Sequence, residues 1–177
     1  MSNTHGFINT TRMTCWDVDA YNAAGVGAID FDNGMLVSLG DMKLKDATGG
    51  YEFAVAAPAA NATELWVIDT PEVGADIDMQ IHNDPRYFYN KAGEPMSLRY
   101  LNAKVDYIEV PALAFTTQFD PDTVGSTAAY VSVETTGKLK AVASAPASGT
   151  YFSIKATHSI DIGQEIVKTW ILKCERN

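Results

Sequence analysis

The feature that most constrains this chain is a two-residue alternation of apolar and polar side chains, repeated in short runs that Gly, Pro and Asn interrupt. Tyr51, Phe53, Val55 and Ala57 alternate with Glu52, Ala54 and Ala56, which puts the larger apolar groups on one face of a pleated strand. Val131 and Val133 alternate with Tyr130, Ser132 and Glu134; Leu139, Ala141 and Ala143 alternate with Lys138 and Lys140. Phe152, Ile154 and Ala156 then alternate with Tyr151, Ser153 and Lys155. These runs read as half-buried antiparallel strands. From Gln164 to Cys174, Ile166, Val167, Trp170, Ile171 and Cys174 recur at helical spacing, yet the Ile, Val, Thr and Trp content favours a pleated surface. The strand runs before it tip the reading to strand, with helix as the alternative. The pattern predicts an all-β chain, an antiparallel β-sandwich or barrel.

Turn signals set the expected connections. Val26 to Phe31, then Asp32-Asn33-Gly34, then Met35 to Leu39 reads as a hairpin, because Asn-Gly supplies the positive φ angles of a tight turn. Leu65-Trp66-Val67-Ile68 is apolar on both faces, as a strand covered on both sides would be, and Asp69-Thr70-Pro71 ends it. Residues 70–97 form a long, Pro- and Gly-punctuated connection of the kind that carries binding loops, with one candidate strand at 77–81. In Lys104 to Val110 the apolar parity switches between Tyr107 and Ile108, which implies a bulge or burial on both faces. Asp32-Asn33-Gly34-Met35-Leu36-Val37 echoes Thr135-Thr136-Gly137-Lys138-Leu139-Lys140, but a turn glycine before a strand recurs in every antiparallel fold.

The first 24 residues show neither period. They are rich in Asn and Thr, carry scattered apolar groups (Phe7, Ile8, Met13, Trp16), and read as an extended N-terminal arm that needs pinning to be ordered. Residues 25–177 form the β-rich body, either one unit or two small ones divided near 111–127. The start, Met1-Ser2-Asn3-Thr4-His5-Gly6, has no cationic or apolar region, so no secretory signal is expected. No run approaches the ~20 apolar residues of a membrane helix. Cys15 and Cys174 are then expected to stay reduced. Lys plus Arg total 13 against 22 Asp plus Glu, a net charge of -9. That field repels phosphate backbones and anionic lipid, which argues against nucleic-acid and membrane partners.

Catalytic chemistry finds no anchor. His5, His82 and His158 are scattered, and His82-Asn83-Asp84 is explained equally by a polar turn before Pro85. Asp30-Phe31-Asp32-Asn33-Gly34 misses the calcium-loop spacing, with glycine fifth rather than sixth. Gly25-Val26-Gly27 lacks the later glycine and βαβ setting of a dinucleotide loop and reads as a flexible entry to a strand. Carboxylate pairs such as Asp17/Asp19 and Asp76/Asp78 are expected by chance among so many acids. The sequence therefore assigns no catalytic residue, metal ligand or cofactor. What remains is surface: Arg86-Tyr87-Phe88-Tyr89, with Met96 and Arg99-Tyr100 beyond, collects residue types enriched where proteins touch, unless alternate members fill the core.

The runs Asp32 to Asp41, Tyr51 to Pro58, Glu64 to Val73, Asn90-Lys91-Ala92-Gly93-Glu94-Pro95 and Val105 to Val110 together resemble, in texture, the decoration, cement or auxiliary capsid proteins of tailed bacteriophages. The resemblance spans residues 30–175. It implies a non-enzymatic virion structural protein, made in the host cytoplasm and bound to the capsid exterior. Its partners would be the major capsid protein and further copies of itself, in a trimer or another symmetric cluster. Protein contacts are then expected at Phe7, Ile8 and Trp16 of the arm and at Arg86, Tyr87, Phe88 and Tyr89. The arm would add to a neighbouring sheet, so deleting residues 1–20 is expected to weaken assembly and leave the body folded. The alternative is a carbohydrate- or host-surface-binding module of a phage fibre, with Trp66, Tyr87 or Tyr89 stacking on sugars.

Overall fold

The alternating runs become strands in the computed structural model, which describes residues 5–10, 13, 22–45, 50–72, 85–162 and 165–177. In chain order they are β1 (Asn22–Gly27), β2 (Leu36–Lys45), β3 (Gly50–Ala56), β4 (Trp66–Ile68) and β5 (Pro95–Tyr100), then β6 (Tyr107–Pro111), β7 (Tyr130–Val133), β8 (Leu139–Val142), β9 (Tyr151–Ile162) and β10 (Glu165–Arg176). A single helical turn, α1 (Pro121–Val124), lies between β6 and β7. Asp120 caps it, its side chain accepting from the backbone N–H groups of Asp122 and Thr123 at 2.9 Å each. The chain is all-β, as the alternation requires.

The first five strands close into a barrel of order β1-β3-β2-β4-β5. The last five form an antiparallel sheet of order β6-β10-β9-β7-β8. The chain leaves the barrel for the sheet between β5 and β6, so the stretch 111–127 joins two strands of one sheet. β1 starts at Asn22, upstream of the arm boundary drawn after residue 24. The C-terminal run, the ambiguous one, is a strand across its described length and pairs with β9 and β6.

Phe31, Met35, Val37, Val55, Ile68, Met96 and Leu98 form one apolar cluster of barrel residues. A second cluster spans both units: Leu36, Leu65 and Val67 from the barrel side meet Ile108, Val110, Val131, Leu139, Phe152, Trp170 and Leu172 from the sheet. Successive residues of β2 and β4 thus serve opposite clusters, Leu36 against Val37 and Val67 against Ile68. That is why Leu65 to Ile68 is apolar on both faces. Phe115 and Trp170 add an edge-on ring pair, centroids 5.6 Å apart.

Two local expectations change. Asn33-Gly34 does make a turn, with Met35 N–H donating to Asp32 C=O at 3.3 Å and Gly34 at φ 86°, but it closes no hairpin. β1 pairs instead with β3, in parallel, and with β5. Asn33 has no positive φ, so the turn lacks the twist that joins adjacent strands. Its buried amide works at longer range: Nδ2 donates to Thr70 C=O at 2.9 Å and Oδ1 accepts from Thr70 N–H at 3.2 Å. Gly25-Val26-Gly27 lies within β1 rather than ahead of a strand, with Gly25 opposite Phe53 and Gly27 opposite Val55. The candidate strand at 77–81 falls outside the described residues.

Candidate interaction surface

Three carboxylates of the body hold the N-terminal segment. His5 Nδ1 lies 2.6 Å from Asp32 Oδ1, and Gly6 N–H donates to Asp32 Oδ2 at 3.4 Å. Asn9 and Glu109 exchange backbone bonds of 2.9 and 3.0 Å, while Asn9 Nδ2 donates to Glu109 Oε2 at 3.3 Å. Thr10 Oγ1 donates to Asp69 Oδ2 at 2.8 Å. Asp32 follows the barrel's cluster residue Phe31, Asp69 follows β4, and Glu109 sits on β6, so the segment ties the barrel to the sheet.

Apolar burial reinforces this seating. Phe7 is only 5% exposed, Met13 is buried in the shared core, and Ile8 packs against it. Of the arm residues expected to make protein contacts, Phe7 is buried within its own chain, Ile8 is half-buried, and Trp16 lies outside the described residues. Deleting residues 1–20 would remove core side chains as well as any partner contact. The deletion therefore carries a stability cost to the body in addition to any effect on assembly.

The segment 85–90 is also engaged. Pro85–Tyr87 forms a 3-10 turn. Arg86 C=O accepts from His5 N–H at 2.6 Å, and the Arg86 guanidinium contacts the Glu165 carboxylate. Phe88 is buried, and the Tyr89 ring stacks on His5 with centroids 4.9 Å apart. Asn90 is buried as well, so alternate members fill the interior. Trp66 is half-buried against the barrel cluster and meets Tyr100 edge-on at 5.3 Å.

Glu109 is the residue that sequence reasoning missed. It is 2% exposed, and its Oε1 accepts from Thr169 Oγ1 at 2.6 Å and lies 2.7 Å from His158 Nδ1. A buried carboxylate is tolerable only when so surrounded. The parity switch at 107–110 was its signal. Ile108 and Val110 face the shared core while Glu109 faces the arm, so burial is on both sides.

Among the described residues no group of three His, Cys, Asp or Glu could hold a metal ion. His82, Asp17/Asp19 and Asp76/Asp78 lie outside them. A cleft of about 330 Å³ lies between α1 and the β9–β10 pair, lined by Pro121, Asp122, Ile154, Thr157, Lys168 and Trp170 among others, but Trp170 is itself buried. Burial pushes the Cys174 thiol up to about 12, with the Asp106 and Glu175 carboxylates adding to it. A thiol so held is not a nucleophile.

Among the described residues, a two-stranded ribbon leaves strand edges open. β9 and β10 pair with each other from 151 to 176, but β7 covers β9 only at residues 151–153 and β6 covers β10 only at 169–173. Among the described residues, 155–162 and 165–168 have no third strand beside them, and Ile166 is 75% exposed. β2 and β3 form a second, shorter ribbon: β4 covers β2 only at Leu36 and Val37, and β1 covers β3 only at Phe53 to Val55. Comparison with protein-family models, with curated proteins and with solved structures gives no match.

Proposed function

We propose that the chain is a non-enzymatic structural protein of a phage virion, bound to the outer surface of the capsid as a decoration or auxiliary protein. One observation carries the reading: among the described residues, the outer edge of the β9–β10 ribbon along 155–162 has no neighbouring strand, next to the exposed Ile166. Such an edge can add to a neighbouring strand and gain main-chain hydrogen bonds without a pocket. On a shell, a contact of this sort repeats at every equivalent position, so many modest contacts stabilise the lattice by mass action. Copies of the chain arranged as a trimer or other symmetric cluster would multiply the contacts further. The polar side chains Lys155, His158 and Asp161 along the same strand guard against indiscriminate pairing in solution.

The test is co-sedimentation of the purified chain with empty shells assembled from the major capsid protein of the same genome. The expected result is saturable binding at a fixed number of copies per shell. A chain that stays in the supernatant at every concentration, or that binds an array of glycans instead, would overturn the reading. Two of the three aromatic groups that a sugar would stack on make ring contacts within the chain, Tyr89 with His5 and Trp66 with Tyr100.

A further inference from the structure

The outer face of the second sheet, away from the barrel, gathers cations around one anion. Glu175 Oε2 lies 3.4 Å from Lys104 Nζ, and Oε1 lies 3.4 Å from Lys155 Nζ and 4.0 Å from Lys173 Nζ. Ser153 Oγ donates to the same Oε1 at 2.7 Å. Elsewhere the pairs Arg99–Asp69, Lys140–Glu134 and Lys168–Asp122 each set one cation against one carboxylate. Three ammonium groups carry nine N–H donors, whereas a carboxylate offers about four acceptor positions, one of them used by Ser153. Most of those donors therefore face solvent, and the lysines repel one another.

Three local irregularities of the backbone build this arrangement. The β9–β10 register skips Lys155 between Ala156 and Ile154, and skips Glu175 between Cys174 and Arg176. Each bulge re-aims the extra side chain. Lys104 sits at φ 72° in a turn whose N–H donates to Cys174 C=O at 2.8 Å, a conformation that disfavours a long side chain. Repulsion and backbone strain thus converge on one spot. Apolar and aromatic groups flank it: Val105 is 49% exposed, Tyr107 lies opposite Lys173, and Tyr130 opposite Ser153.

We propose that this face is a docking site for an acidic segment of a protein partner, two or three carboxylates completing the charge balance that Glu175 begins. Charge complementarity selects the occupant. The patch is about as wide as a Debye length, so it matches a few local carboxylates, and the net charge of -9 disfavours a long polyanion such as nucleic acid. Tyr and exposed Val beside the lysines fit a peptide better than a bare phosphate. The site borders the ribbon and shares Lys155 with it, but the two are separable, because shells could bind the ribbon with the lysine face empty.

The experiment measures fluorescence anisotropy of labelled hexaglutamate, with labelled oligothymidylate as the second probe, against the full chain. Hexaglutamate is expected to bind at about 20 mM salt and to weaken at least about tenfold by about 200 mM. The double variant K104Q/K155Q is expected to lose about tenfold in affinity with its melting temperature unchanged, while K138Q, whose ammonium neighbours Asp32, binds as the original does. No hexaglutamate binding, equal binding by K104Q/K155Q, or tighter binding of oligothymidylate would each overturn the proposal. Should K104Q/K155Q melt early, K173Q carries the same comparison.

Discussion

Truncating Phe7 to alanine separates a seated arm from a free one. Phe7 is 5% exposed, and the residues around it are fixed at both ends by His5 with Asp32 and by Asn9 with Glu109. Full burial of a phenylalanine side chain contributes about 1.5–3 kcal/mol through solvent transfer alone, and core Phe→Ala changes cost about 3–5 kcal/mol once the cavity is included. The segment is tied to several elements and so collapses poorly around the hole, but it lies near the surface. A loss of about 3 kcal/mol follows. With a urea m-value of about 2 kcal/mol/M, the unfolding midpoint should fall by about 1.5 M at unchanged m. The barrel and sheet share a core, so a single transition is expected. A midpoint shift under about 0.25 M would refute the reasoning, because a side chain that leaves no trace when removed was never buried.

Gly137→Ala should destabilise by about 2–4 kcal/mol in the same assay: the residue sits at φ 86°, and an added Cβ would come within 2.6 Å of Leu36 O, in a place where Leu36 N–H donates to Gly137 C=O at 2.9 Å. In a Cys15→Ser background, Cys174 should resist maleimide at about pH 8 in the native state and react fully in urea, since with its pKa near 12 only about one thiol in ten thousand is ionised. Acid should unfold the protein partly through Glu175. The Ser153 hydrogen bond, with Lys173, Lys104 and Lys155, outweighs burial and holds its carboxyl below the ordinary range. A depressed folded value means its stabilisation is complete above the unfolded value and lost as pH falls through the folded one, so E175Q should flatten the decline in melting temperature between about pH 5 and 2.

What the sequence discloses about this fold is local, and what it conceals is pairing. Trp66, Val67 and Ile68 declare burial on both faces, because each side chain reports its own surroundings. Asn33-Gly34 declares a turn and delivers one, but the hairpin inferred from it fails because β1 takes its partners from β3 and β5, tens of residues away. Glu109 appears in the sequence only as an acid interrupting an apolar strand; the groups that make it tolerable are Asn9, His158 and Thr169, none of them near it in the chain. The lysine cluster is hidden for the same reason. Lys104, Lys155 and Lys173 meet at Glu175 through two bulges and one left-handed residue, and the alternation of Phe152, Ile154 and Ala156 runs on without marking the bulge at Lys155. In Arg86-Tyr87-Phe88-Tyr89 the sequence left core and interface open, and the structure divides them by parity, with Phe88 inward and Tyr89 stacked on His5.

The seating of the arm also decides where strand addition could occur. A closed barrel has no sheet edge to offer along its closed length. On the second sheet, the outer edge of β6 is already met by Asn9, which bonds Glu109 in both directions. The outer edge of β8 is met by Phe115, bridged to Leu139, with Thr116 N–H donating to Leu139 C=O and Ala141 N–H donating to Phe119 C=O. Among the described residues the open strand edges then lie on the two ribbons, β2–β3 outside the stretches that β4 and β1 cover and β9–β10 beyond β6 and β7. Residues 5–10 thus close one edge of the chain's own sheet, and under the proposed function a contact made by strand addition would fall on the ribbons.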